Sequence, residues 1–538
     1  MITPTANSIQ PQEDSKLFEK VGLFLTIAIA AAIRLTINFS TPLMPGLNSV
    51  YYPVQIRSLL ENGRLGFPDF PFVFYIEAGF AKALEFLGLC DLNGCIMASS
   101  KIVDSVLYPL IAVPAFLLAK SVAKDIKAPR WIPLLAGVLV TISVPAFIMM
   151  ADFQKNSIGL AWSMFFVYFL YKASKNGGLS NYTAVGVSFI LAGLTHLGSL
   201  GFCLAFSVGF FFFSIIFQRE KRTSLLKTSG LLFLVAGAVS ASLFFFDLER
   251  LGRLGSVFLL PFEMFKNPII IGFLKGEVPF TPEVFLDIFA PNLLAILGLI
   301  LLRVKRREIP SQEKILLLTS LLLTAFMASP LLETELGNRL FKMAYVPATV
   351  VLIFLLKYTL KAWKRLLLAT LMLAVMVLPV PMAIKIRGAP SITNEAYGNL
   401  FKLRTVVDNP EETLIVTRHG LEWWVAWILY TDVGQIPSLT KESFQNYDNI
   451  YLLRQKSGQG NFGPSGPDGP SFPEVWIPPD AKIAYEDEFY ILAEASAESL
   501  HPRPEGDRFK DRGSKDSEGP RDFENSEENR PPDLNPAK

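Results

Sequence analysis

The sequence predicts a mostly α protein: a polytopic bundle of transmembrane helices followed by a small α/β domain outside the membrane. Three observations predict it. Apolar runs close to twenty residues recur along most of the 538-residue chain, and that is the length a helix needs to cross a hydrocarbon core. Hydrophobic residues make up 51% of the chain, and the mean hydropathy is +0.38. Beyond residue 387 the long apolar runs give way to short β-type segments and then to a charged tail. The formal charge of +2 gives no bulk attraction to nucleic acid, so nucleic acid is not an expected partner.

Hydropathy places spans near 21–39, 103–120, 132–151, 157–172, 183–197, 200–217, 228–246, 288–303, 314–330, 340–357 and 366–385, about eleven by the length criterion. The run 183–217 is too long for one crossing, and "THLGS" supplies its break. The first run leads into no small-residue cleavage pattern and reads as a retained span. With residues 1–20 cytoplasmic, the inner loops hold about eighteen Lys and Arg, against about two in the short outer loops, Lys155 and Arg339. The expected location is thus a plasma (inner) membrane. The transmembrane domain covers 21–386, and an odd number of spans sends the C-terminal segment to the periplasmic or extracellular side.

Three larger outer segments follow. The first covers 40–102, and the second lies between the seventh and eighth spans. The third, 387–498, has β-type runs in "EETLIVT", "NIYLLR" and "EFYILAEA" around a helical "GLEWWVAWILYT", the pattern of a small α/β domain. "GQGNFGPSGPDGPSFP" is a Gly/Pro loop inside it. Residues 499–538 are charged and Pro-rich and read as a disordered tail. Of three cysteines, Cys90 and Cys95 sit close together in the first outer loop. A small disulfide is open to them, while no further Cys or His stands nearby to complete a metal set.

Charges are costly at membrane depth, and those retained line cavities, pair or serve a substrate. The polar turns at Asp152, at His196 and in "LETELGNR" fall on the same expected face as the first outer loop. Arg34, in the outer part of the first span, reads as a side chain that snorkels to the interface.

Several of these stretches resemble GT-C glycosyltransferases. "GLNSVYYPVQIRSLLENGRLGFPDFP" looks like the first outer loop of that superfamily. There an acid after the first span precedes a Tyr-rich helix and a second acid. "ADFQKNSIGLAWSMFFVYFLYKASKNG" is similar to the second outer loop and fourth span of the oligosaccharyltransferase catalytic subunit. "LGNRLFKMAYVPATVVL" resembles its late span, where an Arg opens a helix that carries a Pro, and "HGLEWW" sits where it has WWDYG. The resemblance covers about residues 40–350, with an echo at Glu422–Trp424. It implies transfer of a sugar from a polyprenyl-phosphate or polyprenyl-diphosphate carrier to a glycan, lipid or protein acceptor at the outer leaflet. The lack of a Gly-rich phosphate loop suits a donor that is not a nucleotide sugar.

The resemblance also implies roles. A carboxylate takes or orients the acceptor's proton, cationic groups stabilise the departing phosphate, and in some members carboxylates hold a divalent cation such as Mg or Mn. At the place of the first acid this chain has Asn48, which has no titratable acceptor and is left to orient a hydroxyl or ligate through its carbonyl. Either the base is then at Asp69 or Asp152, which are also the candidate metal ligands and for each of which the alternative is a turn or cap acid, or the acceptor needs little activation. Arg339, Lys155, Arg57, His196, Tyr52 and Glu335 are the candidate substrate-binding residues. For Arg339 the competing reading is an ion pair with Glu333 or Glu335, and for Tyr51 and Tyr52 an interfacial aromatic belt. "EWWVAW" lacks the Asp-Tyr-Gly continuation, so Asn-X-Ser/Thr peptides are not expected acceptors, and the Trp pair reads as packing the domain against the membrane. Two other classes compete with the enzyme: a non-catalytic relative or assembly subunit, which Asn48 favours, and a transporter of lipid-linked sugars, against which stand the absence of a repeat and the position of the polar groups at span ends.

Overall fold

The computed structural model describes residues 11–124, 129–218, 264–276, 282–359, 361–435, 439–456 and 475–496. The expected span 228–246, the Gly/Pro loop, most of the second outer segment and the tail lie outside the described residues. Among those described, seven helices are long and apolar enough to cross a membrane, and the chain is an integral membrane protein. Each of the seven falls on an expected span. Three further expected spans are helices too, Gln154–Asn176, Leu179–Thr195 and Ser311–Met327. The last two are 17 residues long. The first carries Lys155 and Asn156 at one end and Lys172 and Lys175 at the other, which shortens its apolar centre. The second span starts earlier than expected: the apolar helix runs Leu92–Ala123, about 48 Å at 1.5 Å per residue against a core of about 30 Å.

The chain divides into two compact units, 1–36 with 104–384, and 37–103 with 385–538. In the first unit, Thr334–Tyr358 is the most buried of the apolar helices. It packs against Pro282–Val304 and Ser311–Met327, while Gln154–Asn176 packs against Leu179–Thr195 and Leu197–Phe217. Lipid is as apolar as leucine, so such helices associate through close fit and polar contacts rather than through the hydrophobic effect. Gly159 shows the fit, since a Cβ there would stand 2.1 Å from Ser199 Oγ.

Arg34 supplies the polar contact, and it does not snorkel. It is fully buried. Its Nη2 donates to Asp104 Oδ1 at 2.7 Å and its Nη1 to the Ala146 carbonyl at 2.9 Å. Its guanidinium lies 4.6 Å from the centroid of the Tyr108 ring. The other Asp104 oxygen accepts the Ala151 amide at 3.3 Å. An arginine surrounded by acceptors and an aromatic face has no need to reach the interface.

The second unit joins residues 37–103 to the C-terminal segment in one core. Val50, Tyr52, Ile56 and Phe74 cluster with Ile415, Trp424, Leu453 and Tyr490. The Gly46 amide donates to the Ala389 carbonyl at 2.9 Å. The expected β runs are β1 (Thr413–Val416), β3 (Asn449–Gln455) and β5 (Tyr490–Glu494). Two short strands escaped the sequence reading, β2 (Asp432–Gly434) and β4 (Ile483–Glu486). The sheet order is β2-β1-β3-β5-β4, with β1 parallel to β2 and β3, and β5 antiparallel to β3 and β4. The helix Glu422–Leu429 connects β1 to β2. Trp424 is fully buried and donates to Ser391 Oγ at 2.9 Å, and Trp423 packs on Tyr51 and Phe67. The Trp pair therefore packs inside this unit.

Candidate active site

In an α/β sheet, ligands gather beyond the carboxyl ends of parallel strands, where the backbone turns into loops and helix starts. Here β1, β2 and β3 run parallel as a set, and a polar residue follows or closes each. Arg418 and His419 follow β1, Gln435 follows β2, and Gln455 closes β3. Arg418 is buried and donates through Nη2 to Gln455 Oε1 at 2.6 Å.

His419 is the centre of this edge. Its Nδ1 lies 3.0 Å from Glu422 Oε1 and its Nε2 lies 3.1 Å from Asn48 Nδ2. Gln435 Nε2 lies 2.9 Å from His419 Nδ1 and donates to Glu422 Oε1 at 3.1 Å. A carboxylate accepts only and an amide nitrogen donates only. One assignment puts the proton on Nδ1, donated to Glu422, with the Gln435 amide donating to the same Glu422 oxygen at 3.1 Å rather than to the ring. Nε2 then presents its lone pair to the Asn48 amide. Glu422 is 3% exposed and His419 34% in their side chains, so the acid is shielded and the imidazole reachable. Glu422 Oε2 is buried with no hydrogen-bond partner among the described residues.

Gly420 makes the approach of the two chain segments feasible. Its φ is +87°, and a Cβ would stand 2.3 Å from Leu47 Cδ1. The tight turn after β1 thus brings His419 beside the residue that follows Leu47, which is Asn48. Asp69 lies in the same unit. Its Oδ2 accepts the Tyr51 hydroxyl, and its Oδ1 accepts the Phe70 amide at 2.7 Å. Gln55 Nε2 donates to Tyr51 Oη at 2.8 Å. Burial, and then the neighbouring Asp69 charge, push the Tyr51 phenol well above its ordinary pKa, so it stays a neutral donor to that carboxylate.

The other expected residues are placed as follows. Tyr52 is 2% exposed and sits in the core against Phe74. Arg57 is buried and donates through Nη1 and Nη2 to the carbonyls of Trp427 and Ala426, so it closes the C-terminal end of the Glu422–Leu429 helix. Asp152, Lys155, His196 and Arg339 belong to the first unit. Asp152 is buried and follows Ala151, whose φ is +63°. Lys155 lies in the first turn of Gln154–Asn176. His196 is the single residue between two helices, as the "THLGS" break implied. Arg339 is exposed on Thr334–Tyr358, and Glu333 caps that helix by accepting the Leu336 amide at 2.9 Å. The Glu335 side chain lies outside the described residues. Among the described residues, no group of three or more His, Cys, Asp or Glu side chains could hold a metal ion.

The sequence reading passed over His419 and Gln435. One signal was available for the histidine. The chain has only three, and this one stands three residues before an acid at the start of a helix, the spacing that lets the two side chains meet.

No family model matches the chain. No curated protein matches it either. Among solved structures it is similar to ArnT from Cupriavidus metallidurans, in a crystal structure bound to undecaprenyl phosphate, at 12% identity and a TM-score of 0.49, over 90% of this chain and 100% of that one. A likeness of that strength assigns neither a family nor a residue's role.

Proposed function

We propose that the chain is a membrane glycosyltransferase of the GT-C type. It takes a sugar from a polyprenyl-phosphate or polyprenyl-diphosphate carrier and passes it to a hydroxyl-bearing acceptor at the outer leaflet. The observation that carries the reading is the Glu422–His419–Asn48 line. Where the resemblance expects a carboxylate, Asn48 cannot take a proton, but it lies 3.1 Å from an imidazole nitrogen that can.

The chemistry follows from that geometry. Glu422 holds the Nδ1 proton, so the Nε2 lone pair is the acceptor. An acceptor hydroxyl that takes the place of the Asn48 amide at Nε2 gives up its proton there as its oxygen bonds to the anomeric carbon. The bond from that carbon to the carrier phosphate breaks, and the phosphate leaves with the electron pair. The shielded Glu422 carboxylate stabilises the imidazolium that results. Asn48 then orients the incoming hydroxyl through its side-chain oxygen.

Purified protein in lipid nanodiscs, supplied with an extract of radiolabelled polyprenyl-phosphate sugars, tests this. Wild type is expected to transfer label, and His419→Ala to lose about 10²–10⁴-fold in rate, the usual worth of a general base. Glu422→Gln should lose less. Transfer that survives His419→Ala unchanged refutes the role of the histidine. A second reading, a relative without catalysis, draws on Asn48 itself. Absence of transfer with every carrier tried, alongside intact carrier binding, decides for it.

A further inference from the structure

The second unit holds a cavity of about 320 Å³ away from the His419 centre. Glu422 opens the helix and Tyr430 follows its last residue, so roughly 12 Å of helix rise separate the two places. The volume is at the small end of the roughly 300–1,000 Å³ typical of ligand sites, which suits a ring-sized molecule.

Its lining has a definite chemistry. Phe401 and Tyr430 are 39% and 43% exposed and line the cavity, and the Arg57 guanidinium covers one face of the Tyr430 ring at 3.8 Å from its centroid. Between them stands Arg404. Its Nε donates to the Ile428 carbonyl at 2.9 Å, and its guanidinium lies 5.0 Å from the Phe401 centroid and 5.5 Å from that of Tyr430. The helix end fixes this guanidinium, a preorganised planar donor. Asp91 and Asn93 also line it. A disulfide between Cys90 and Cys95 closes the loop that carries them, and Gly94 leaves room for Asp91, whose Oδ1 would stand 2.7 Å from a Cβ there.

We propose that this cavity binds a neutral pyranose sugar ring. A sugar has an apolar face of C–H groups, which stacks on aromatic rings, and an edge of vicinal hydroxyls, which pairs with planar carboxylate, amide and guanidinium groups. The cavity supplies both kinds of surface. Asp91 and Arg404 cancel in charge, which disfavours an anion such as phosphate relative to a polyol. The inference does not depend on the transfer reading, since binding here needs no reaction.

Saturation-transfer NMR on the full chain in nanodiscs, with glucose, galactose, mannose or N-acetylglucosamine at about 10 mM, reads affinities in the millimolar range. At least one sugar should receive saturation on its ring protons. Phe401→Ala and Asp91→Ala each alter an exposed lining residue, so an unchanged thermal midpoint is expected with binding weakened about tenfold. His419→Ala should bind as wild type does. No saturation with any of the four sugars overturns the proposal, as does equal saturation in both variants. So does line broadening of inorganic phosphate that Phe401→Ala leaves intact, which identifies an anion site instead.

Discussion

Arg34 and Asp104 show how much a single residue pair can hold. The ion pair is fully buried, and removing one partner of such a pair leaves an uncompensated charge at a cost of about 3–5 kcal/mol. Arg34→Met is expected to lower stability by that amount, read as a drop in the unfolding midpoint in detergent. The double variant Arg34→Met with Asp104→Leu should recover only part of it, because the Ala146 carbonyl and the Ala151 amide also lose a partner. Full recovery would mean that the pair contributes charge balance alone. At this scale the sequence misled about Arg34. One basic residue near the end of an apolar run reads the same whether it snorkels or meets an acid from a distant helix.

At the scale of elements, the turn between β1 and the Glu422–Leu429 helix carries the most weight. Gly420 and Gly63 both have positive φ, but a Cβ on Gly63 meets nothing within 4 Å. A side chain in that left-handed region costs about 1–2 kcal/mol through the backbone alone. Gly63→Ala should therefore cost the backbone part only. Gly420→Ala should cost more, because its Cβ collides with Leu47, and should also reduce sugar transfer by displacing Asn48 from His419. Equal losses of stability in the two variants, with transfer untouched, would remove Gly420 from the site. β1, β3 and β5 were legible because each lies in a short apolar run of β type. β2 and β4 were not: they are the two edges of the sheet, β2 has three residues and β4 buries none of its four, so neither carries a core-facing pattern.

At the scale of the whole molecule, orientation is the expectation to check. Cys203 is buried and Cys90 is bonded to Cys95, so the background for thiol labelling is low. Lys441 and Arg306 are both exposed. In intact cells or right-side-out vesicles, a membrane-impermeant maleimide is expected to label Lys441→Cys and to leave Arg306→Cys unlabelled until the membrane is opened. The reverse pattern would invert the topology and place the His419 centre on the cytoplasmic side.

What the sequence determined by itself was the membrane-spanning class, the places of ten described helices, seven of them long and apolar enough to cross a membrane, and the existence of an α/β segment after residue 387. These follow from local patterns, because each apolar run or β run is readable within about twenty residues. What only the tertiary structure decided was partnership. Asn48 and His419 are 371 residues apart, and their contact depends on residues 37–103 sharing a core with the C-terminal segment, on the parallel order of β1, β2 and β3, and on a glycine at one turn. Residue spacing along a chain encodes neighbours within a helix or strand, whereas a side-chain contact between distant segments exists only once packing has chosen which segments touch.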